Sequence, residues 1–502
     1  MKKEIFRAAV LVFTFLFLVS CSSDDDAPDP NPVSIQNDDE NIDSFVWRAM
    51  NFWYLYKDDV PNLQDSKIDN TNEYRKFLST YDSPENLFDD LLTKNILQGV
   101  QEDRFSRIVN DYIALEQNLS GTSKNNGMEF DLGRIVNTDD IFGFVRYVLP
   151  GTDAESKGVS RGDIFTRING TQLNLDNYRS LLFGLDSYEV EFNVIENGAL
   201  VPTKNLTLIK TEYTENPIFI AKNIEYGGQK IGYLMYNGFT FGFNKQMNDA
   251  FANFKNDGIS DLILDLRYNG GGSVYTAVAL SSMITGNYTG QIFAKSIYNQ
   301  DILDIVSNQD NADEFLNDRF LDNIITDFDN NTQEPINSLG LQKIYILTSR
   351  SSASASELVI NSLSSYIDVI QIGTETSGKF QASRTLYDSG DLNREGANPD
   401  HTYALQPLIS KISNKDDNTD FINGLTPLVR FSEDFQNMGT LGESNEPFLN
   451  TALEYIVNGA ALATKKQGTI QFELIGNSKM NSSSYQRMYI DNIPFSTFEE
   501  KE

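Results

Sequence analysis

Ser354 and Lys379 are the residues whose types and setting could do chemistry. Ser354 sits inside the run Ser349-Arg-Ser-Ser-Ala-Ser-Ala-Ser-Glu-Leu358, and Lys379 closes Thr376-Ser-Gly-Lys379. A serine hydroxyl is a poor nucleophile until a base takes its proton. An uncharged lysine amine can be that base, in the Ser-Lys variant of the serine hydrolase arrangement. Burial in an apolar pocket favours the neutral amine, so such a site must be dry and walled. The same residues carry a structural reading. Ser354-x-x-Glu357 is also a capping box, a common way to start a helix, and from spacing alone that role stands ahead. Lys379 after a glycine equally reads as a surface loop residue.

The elements around the pair decide whether the two residues can meet. Gln342–Thr348 is short, apolar and β-branched, as a buried strand is. Glu357–Tyr366 reads as a helix and Ile367–Gly373 as a second buried strand. That is a βαβ unit with parallel strands and a right-handed crossover. The helix starts, and the second strand ends, at one carboxyl edge, where open α/β sheets bind ligands. The helix start adds free N–H groups and a positive dipole end, suited to a developing oxyanion. A second unit of the same order lies upstream. Ser260–Leu266 reads as a strand, Asn269-Gly-Gly-Gly272 as a tight turn, and Val274–Ile284 as a helix. Before it come a strand, Lys230–Tyr236, and an amphipathic helix marked by Met247, Ala250, Phe251 and Phe254.

Ser352-Ala-Ser-Ala-Ser-Glu357, Gly378-Lys379 and Asp265-Leu-Arg-Tyr-Asn-Gly-Gly-Gly272 together resemble the signature of the carboxyl-terminal processing, or tail-specific, proteases. The resemblance runs from Asn41 to Val457. It implies an α/β, ClpP/crotonase-like catalytic domain with an inserted β-rich PDZ domain and a helical N-terminal region. It also implies Ser354 as nucleophile, Lys379 as base, and an oxyanion hole from Gly271, with Gly272 next, and Ala355. No cofactor or metal is implied. Many family members carry a Gln where this chain has Ser383, and some an Asp where it has Ser365. The third catalytic member is therefore unassigned, with Glu357 and Gln381 as candidate orienting groups. Pro150-Gly-Thr-Asp-Ala-Glu-Ser-Lys-Gly158 and Arg161-Gly-Asp-Ile-Phe-Thr-Arg-Ile-Asn-Gly170 resemble the PDZ pattern. Gly127, Met128, Glu129 and Phe130 are placed like the PDZ carboxylate-binding loop, which departs here from Gly-Leu-Gly-Phe. The resemblance implies capture of a substrate's C-terminus by strand addition; the alternative is a structural module with an occluded groove.

Composition bounds the rest. The 502-residue chain carries a net charge of −31, which argues against nucleic acid as a partner. It holds one histidine and one cysteine, so a multi-histidine metal site is excluded and a histidine-based hydrolase would hang on His401 alone. Lys2, Lys3 and Arg7 precede an apolar run, Ala8–Val19, the layout of a signal peptide. Leu18-Val-Ser-Cys21 resembles a bacterial lipobox, implying lipidation of Cys21 and a protein anchored to the outer membrane, facing the periplasm or the cell surface. The expected organisation is a signal segment 1–21, an acidic tether 22–40, a helical domain 41–121, the PDZ domain 122–212, the peptidase domain 213–460 and a polar tail 461–502. Residues 287–340, rich in Asn and Asp, read as an insertion or lid-like excursion. The reading is a serine endopeptidase acting on unfolded or C-terminally exposed proteins. A catalytically inactive peptide- or ligand-binding lipoprotein on the same fold is the competitor.

Overall fold

The computed structural model describes residues 42–196, 199–327, 330–460 and 471–491. Cys21 and the segments read as signal and tether lie outside the described residues. A central sheet carries the architecture, in the order Ile218–Tyr226, Gln229–Tyr236, Asp261–Asp265, Lys343–Thr348, Asp368–Gly373 and Val429–Arg430. The first pair is antiparallel and the others are parallel, with Asp265 beside Leu347 and Thr348 beside Gly373. Both βαβ units expected from the sequence are present, and their crossover helices are Val274–Thr285 and Ala355–Leu363.

Residue alternation explains why the sheet is covered on both faces. Leu262, Leu264, Ile344 and Ile346 point to one side, against Phe251, Phe254, Leu280, Leu358 and Val359 of the helices. Ile263, Tyr345, Leu347 and Ile372 point to the other, against Phe448, Leu449 and Leu453 of the helix Pro447–Asn458. Each such fully buried side chain contributes about 1.5–3 kcal/mol. The stripe Met247, Ala250, Phe251 and Phe254 is buried as its spacing predicts. Arg267, wholly buried, locks the end of strand Asp261–Asp265. It donates to Asp265 at 2.7 Å, Glu446 at 2.8 Å and Glu433 at 2.9 Å. The Asp-Leu-Arg half of the sequence signature is therefore a clasp rather than chemistry.

A second sheet runs Gly272–Ser273, Met488–Tyr489, Gln381–Ser383, Leu408–Asn414, Ile292–Tyr298 and Asn317–Arg319. It corrects two expectations. Residues 287–340 are not a lid-like excursion, because Ile292–Tyr298 pairs with Leu408–Asn414 inside this sheet. The segment after 460 is not a mere tail, because Met488–Tyr489 is a strand of the same sheet, beside the glycine turn. The N-terminal helices, including Ile42–Trp53 and Pro84–Asp90, form no core of their own. Phe45, Met50, Trp53 and Leu87 share one cluster with Tyr298, Ile302, Leu405 and Leu408.

Residues 128–209 build a β-rich unit from Met128–Ile135, Ile141–Val148, Ile164–Ile168, Ser187–Glu196 and Ala199–Ile209, with short helices at Asp153–Ser156 and Tyr178–Phe183. Its core holds Phe130, Leu132, Val145, Phe165 and Leu182. A strand from far along the chain, Phe472–Asn477, pairs with its Met128–Ile135 edge.

Candidate active site

The two βα turns are stitched to each other at the carboxyl edge of the central sheet. Ser352 Oγ donates to the Leu266 carbonyl at 2.7 Å, and Ser349 Oγ donates to the Arg267 carbonyl. The Asn269 carbonyl accepts from Ala353 N–H and Ser356 Oγ, each at 3.1 Å. Most hydroxyls of the serine run are thus spent on the neighbouring turn. Ser354 is not among them. It is fully buried and its Oγ finds no hydrogen-bond partner. Its backbone sits at φ +67° and ψ −116°, a conformation that costs a non-glycine residue on the order of 1–3 kcal/mol. The capping box that the spacing favours is present through Glu357, which accepts from Ser354 N–H, while the Ser354 hydroxyl itself makes no cap hydrogen bond. Gly271 lies directly against it, at φ +105°; a Cβ there would stand 2.6 Å from the Ser354 Cβ.

Glu357 joins the Ser354 turn to the Lys379 loop. Its carboxylate accepts from Ser354 N–H at 2.7 Å, Lys379 N–H at 2.9 Å, Gly378 N–H at 2.6 Å and Thr376 Oγ1 at 2.5 Å. One buried carboxylate, which the sequence shows only as an orienting candidate, therefore fixes the backbone of both Ser354 and Lys379. Burial pushes its carboxyl up to about 7, against the pull of those same donors.

Lys379 is fully buried, with Nζ 4.9 Å from the centroid of the Phe105 ring. Burial holds its amine well below the ordinary lysine range, and the charges of Arg487 and Arg107 push the same way. This is the dry, walled setting that a neutral lysine needs. Nζ donates to the Gln486 carbonyl at 3.0 Å, and the unpartnered Ser354 Oγ is not its acceptor.

Other expected residues are placed differently. Gly271 N–H donates to Asn269 Oδ1 at 2.8 Å, so in this conformation it is not free for an oxyanion. Ala355 is the first residue of its helix, where an N–H has no partner in the helix itself. Gly272 pairs with Met488. Gln381 turns to Tyr56 Oη at 3.0 Å and leaves Oε1 buried without a partner. Ser383, where the family pattern has Gln, donates to the Met488 carbonyl. His401 bonds Asp388 at 3.1 Å and packs by Phe45 and Tyr403; no contact joins it to Ser354. In the β-rich unit, Gly127 and Met128 spend their N–H groups on Asn125 and Asn126 Oδ1 at 2.5 and 3.0 Å, and Glu129 is buried against Ser478. Gln486 and Arg487 were missed altogether. The apolar triplet Met488-Tyr489-Ile490 and the pattern Phe472-Glu-Leu-Ile475 were the signals that could have flagged strands there.

Residues 230–402 match the family model described as Peptidase family S41, and residues 41–107 match the Peptidase S41 N-terminal domain. A chloroplastic C-terminal processing peptidase of Tetradesmus obliquus is 25% identical over 335 residues, covering 61% of this chain and 66% of the relative. A Staphylococcus aureus (strain MRSA252) protein assigned as a CtpA-like serine protease is 24% identical over 448 residues, covering 85% of this chain and 82% of its own. Among solved structures, a Bacteroides fragilis protein assigned to the S41 proteases superposes with a TM-score of 0.61 at 23% identity, covering 82% of this chain and 96% of its own. That likeness is one of fold.

Proposed function

The chain belongs to peptidase family S41, and from that premise we propose that it is a serine endopeptidase of the C-terminal processing type, with Ser354 as nucleophile and Lys379 as base. The observation that carries this is a single one. A buried, unpartnered hydroxyl on a strained elbow is tied through Glu357 to the backbone of a buried lysine. A binding protein gains nothing from burying an amine and an unsatisfied hydroxyl, each of which costs stability.

The reaction follows from these groups. Lys379 Nζ, uncharged, leaves the Gln486 carbonyl and takes the Ser354 proton. Ser354 Oγ attacks the peptide carbonyl carbon. The oxyanion is received by Ala355 N–H and by the glycine turn once Gly271 N–H turns from Asn269. The C–N bond then breaks, and the Lys379 ammonium gives its proton to the leaving amine. Water, deprotonated by the same lysine, opens the Ser354 ester, which releases the new C-terminus and restores the hydroxyl. Glu357 touches no substrate and acts as a positioning residue. The β-rich unit serves as a PDZ-type module that takes an extended substrate segment as an added strand. Lipidation at Cys21 anchors the protein to a bacterial outer membrane.

The test uses residues 22–502, which contain the compact unit 41–502, incubated with unfolded protein. Ser354→Ala and Lys379→Ala are expected to lose cleavage while keeping the parent's unfolding midpoint to within a few degrees. Cleavage at the parental rate by either variant would remove the dyad. Incorporation of labelled fatty acid into the full chain, lost in Cys21→Ser, checks the anchor.

A further inference from the structure

The stretch after residue 471 crosses both binding features of the molecule. Phe472–Asn477 adds an antiparallel strand to the outer edge of Met128–Ile135, with Phe472 opposite Ile135 and Asn477 opposite Asp131. It occupies the edge that a PDZ-type module offers to a peptide and runs in the same direction, toward the Gly127 loop. Ile475 and Met480 pack on the core of the unit, where Leu181 and Phe183 of the helix Tyr178–Phe183 also pack. Ser478 ends the strand at that loop. Its N–H donates to the Phe130 carbonyl at 2.9 Å, its Oγ accepts from Phe130 N–H at 3.2 Å, and its hydroxyl donates to Glu129.

The same segment then reaches the reactive groups. Its residues 477–479 and 481–486 wall a cavity of about 540 Å³ that joins Met128 and Phe130 to Gly270–Gly272. Gln486 holds Lys379 Nζ by its carbonyl. The Arg487 carbonyl lies against Gly271, 2.5 Å from where a Cβ would be. Anchorage differs along the segment. Between 472 and 486 only Asn477 is buried, whereas Arg487, Met488 and Tyr489 all are. The first part is held by edge hydrogen bonds and a few side chains, the last part by the core.

We propose that Phe472–Gln486 is an internal ligand, a strap that fills the peptide edge and ties Lys379 at rest, and that an extended substrate segment taking its place on that edge releases the lysine. The catalytic consequence rests on the peptidase reading above; the binding step does not. The chemistry of the displacing segment is set by the groove. It presents an apolar side chain where Ile475 lies and a hydrogen-bond donor where Ser478 meets Glu129. The Gly127 and Met128 N–H groups are already spent, so a terminal carboxylate finds no cradle there and faces Glu129 instead.

The strap can be locked by a disulfide. Arg134 and Glu473 are register partners whose side chains bond at 2.8 Å on the exposed face. Cross-strand Cβ atoms stand about 4.5–5.5 Å apart, within small adjustment of disulfide geometry. The chain's one cysteine is Cys21, so residues 22–502 carrying Arg134→Cys and Glu473→Cys hold only the engineered pair. The probe is a fluorescein-labelled, C-terminally amidated peptide with the sequence of residues 472–480, followed by anisotropy with and without dithiothreitol, beside cleavage of denatured casein. A tethered strap at an effective concentration of roughly 1 mM, with an intrinsic affinity on the order of 10 μM, is closed in about 99% of molecules. Ile475→Asp is therefore expected to bind the probe about 10–100-fold more tightly than the parent. The oxidised staple should neither bind nor cleave, and dithiothreitol should restore both. Equal probe binding by oxidised and reduced forms overturns the proposal, as does a failure of Ile475→Asp to bind better than the parent. If binding follows the staple while no form cleaves casein, the strap stands and the peptidase reading falls.

Discussion

Replacing Glu357 by glutamine is the sharpest probe of how this site is assembled. The carboxylate accepts four hydrogen bonds, from Thr376 Oγ1 and Gly378 N–H on one oxygen and from Ser354 N–H and Lys379 N–H on the other. Glutamine keeps one oxygen and puts an NH₂ group in place of the other. The better orientation sets the NH₂ toward Thr376, whose hydroxyl can rotate to accept. Gly378 N–H is then left facing a donor. One buried unsatisfied N–H costs about 1–3 kcal/mol, and that is the expected loss of stability for Glu357→Gln. Glu357→Ala strands all four donors and should cost upward of about 4 kcal/mol. Because Gly378 precedes Lys379, its shift misplaces the base, and a displacement near 1 Å costs on the order of 10²-fold in rate. The expected kinetic signature is therefore kcat lower by about 10–100-fold with KM little changed, since Glu357 touches no substrate. The group also predicts a pH signature. Its folded carboxyl is raised to about 7 from the usual 4.5, so the folded state binds more protons between those values, and stability falls as pH rises across that window. Glu357→Gln should lack that slope. Urea unfolding from pH 4 to 8 and steady-state cleavage of a peptide substrate check both. A variant with parental kcat and parental urea midpoints, or one altered in KM alone, would refute the role.

Four further outcomes follow from the same geometry. Burial holds the Lys379 amine well below its ordinary 10.5, so the unfolded chain binds the extra proton up to that pH and stability rises with pH through the window; Lys379→Met should abolish cleavage yet be more stable than the parent at pH 7, with a flatter stability–pH curve in chemical denaturation. For the same reason kcat/KM of the parent should climb with pH through the depressed lysine value, with no histidine needed, and His401→Ala should leave that profile unchanged. Gly271→Ala places a Cβ 2.6 Å from the Ser354 Cβ at φ +105°, so it should cost about 1–3 kcal/mol from backbone strain alone and lower kcat by at least tenfold in the same peptide assay. Arg267→Met leaves Asp265 and Glu446 buried without their cation and should lower the unfolding free energy by about 3–5 kcal/mol, read from urea midpoints.

The parts of this molecule that were legible in sequence are those encoded locally. Lys343–Thr348 and Asp368–Gly373 announce themselves as apolar runs, and their order with the intervening helix brings Ser354 and Lys379 to one rim before any coordinates are seen. The stripe on helix Asn244–Asp257 is of the same kind. What could not be read was where backbone groups go. Gly271 was expected as an oxyanion donor from the family resemblance, but whether its N–H is free depends on the Asn269 side chain two residues earlier. Ile292–Tyr298 was hidden among Asn and Asp because a strand's partner, here Leu408–Asn414, lies far along the chain. Phe472–Asn477 was hidden for the same reason, its apolar residues too few to mark a strand without Met128–Ile135 beside it.

The electrostatics of Lys379 give the strap a consequence beyond steric cover. The proton affinity of the amine is lowered first by burial and then by the neighbouring cation Arg487, while Gln486, at the end of the strap, holds Nζ by its carbonyl. On the strap proposal, lifting residues 472–486 admits water, which raises the proton affinity of the lysine. An open, empty site thus holds an ammonium and cannot deprotonate Ser354. The base recovers its neutral form only when something again excludes water from the cleft, and in an active molecule that something is the substrate. Occupancy at rest by the chain's own segment and occupancy at work by a substrate are then the two dry states, with an inert, protonated state between them. On the dyad and strap proposals together, stray hydrolysis is suppressed without a separate lid, because the proposed base is switched by the same exclusion of water that a bound peptide provides.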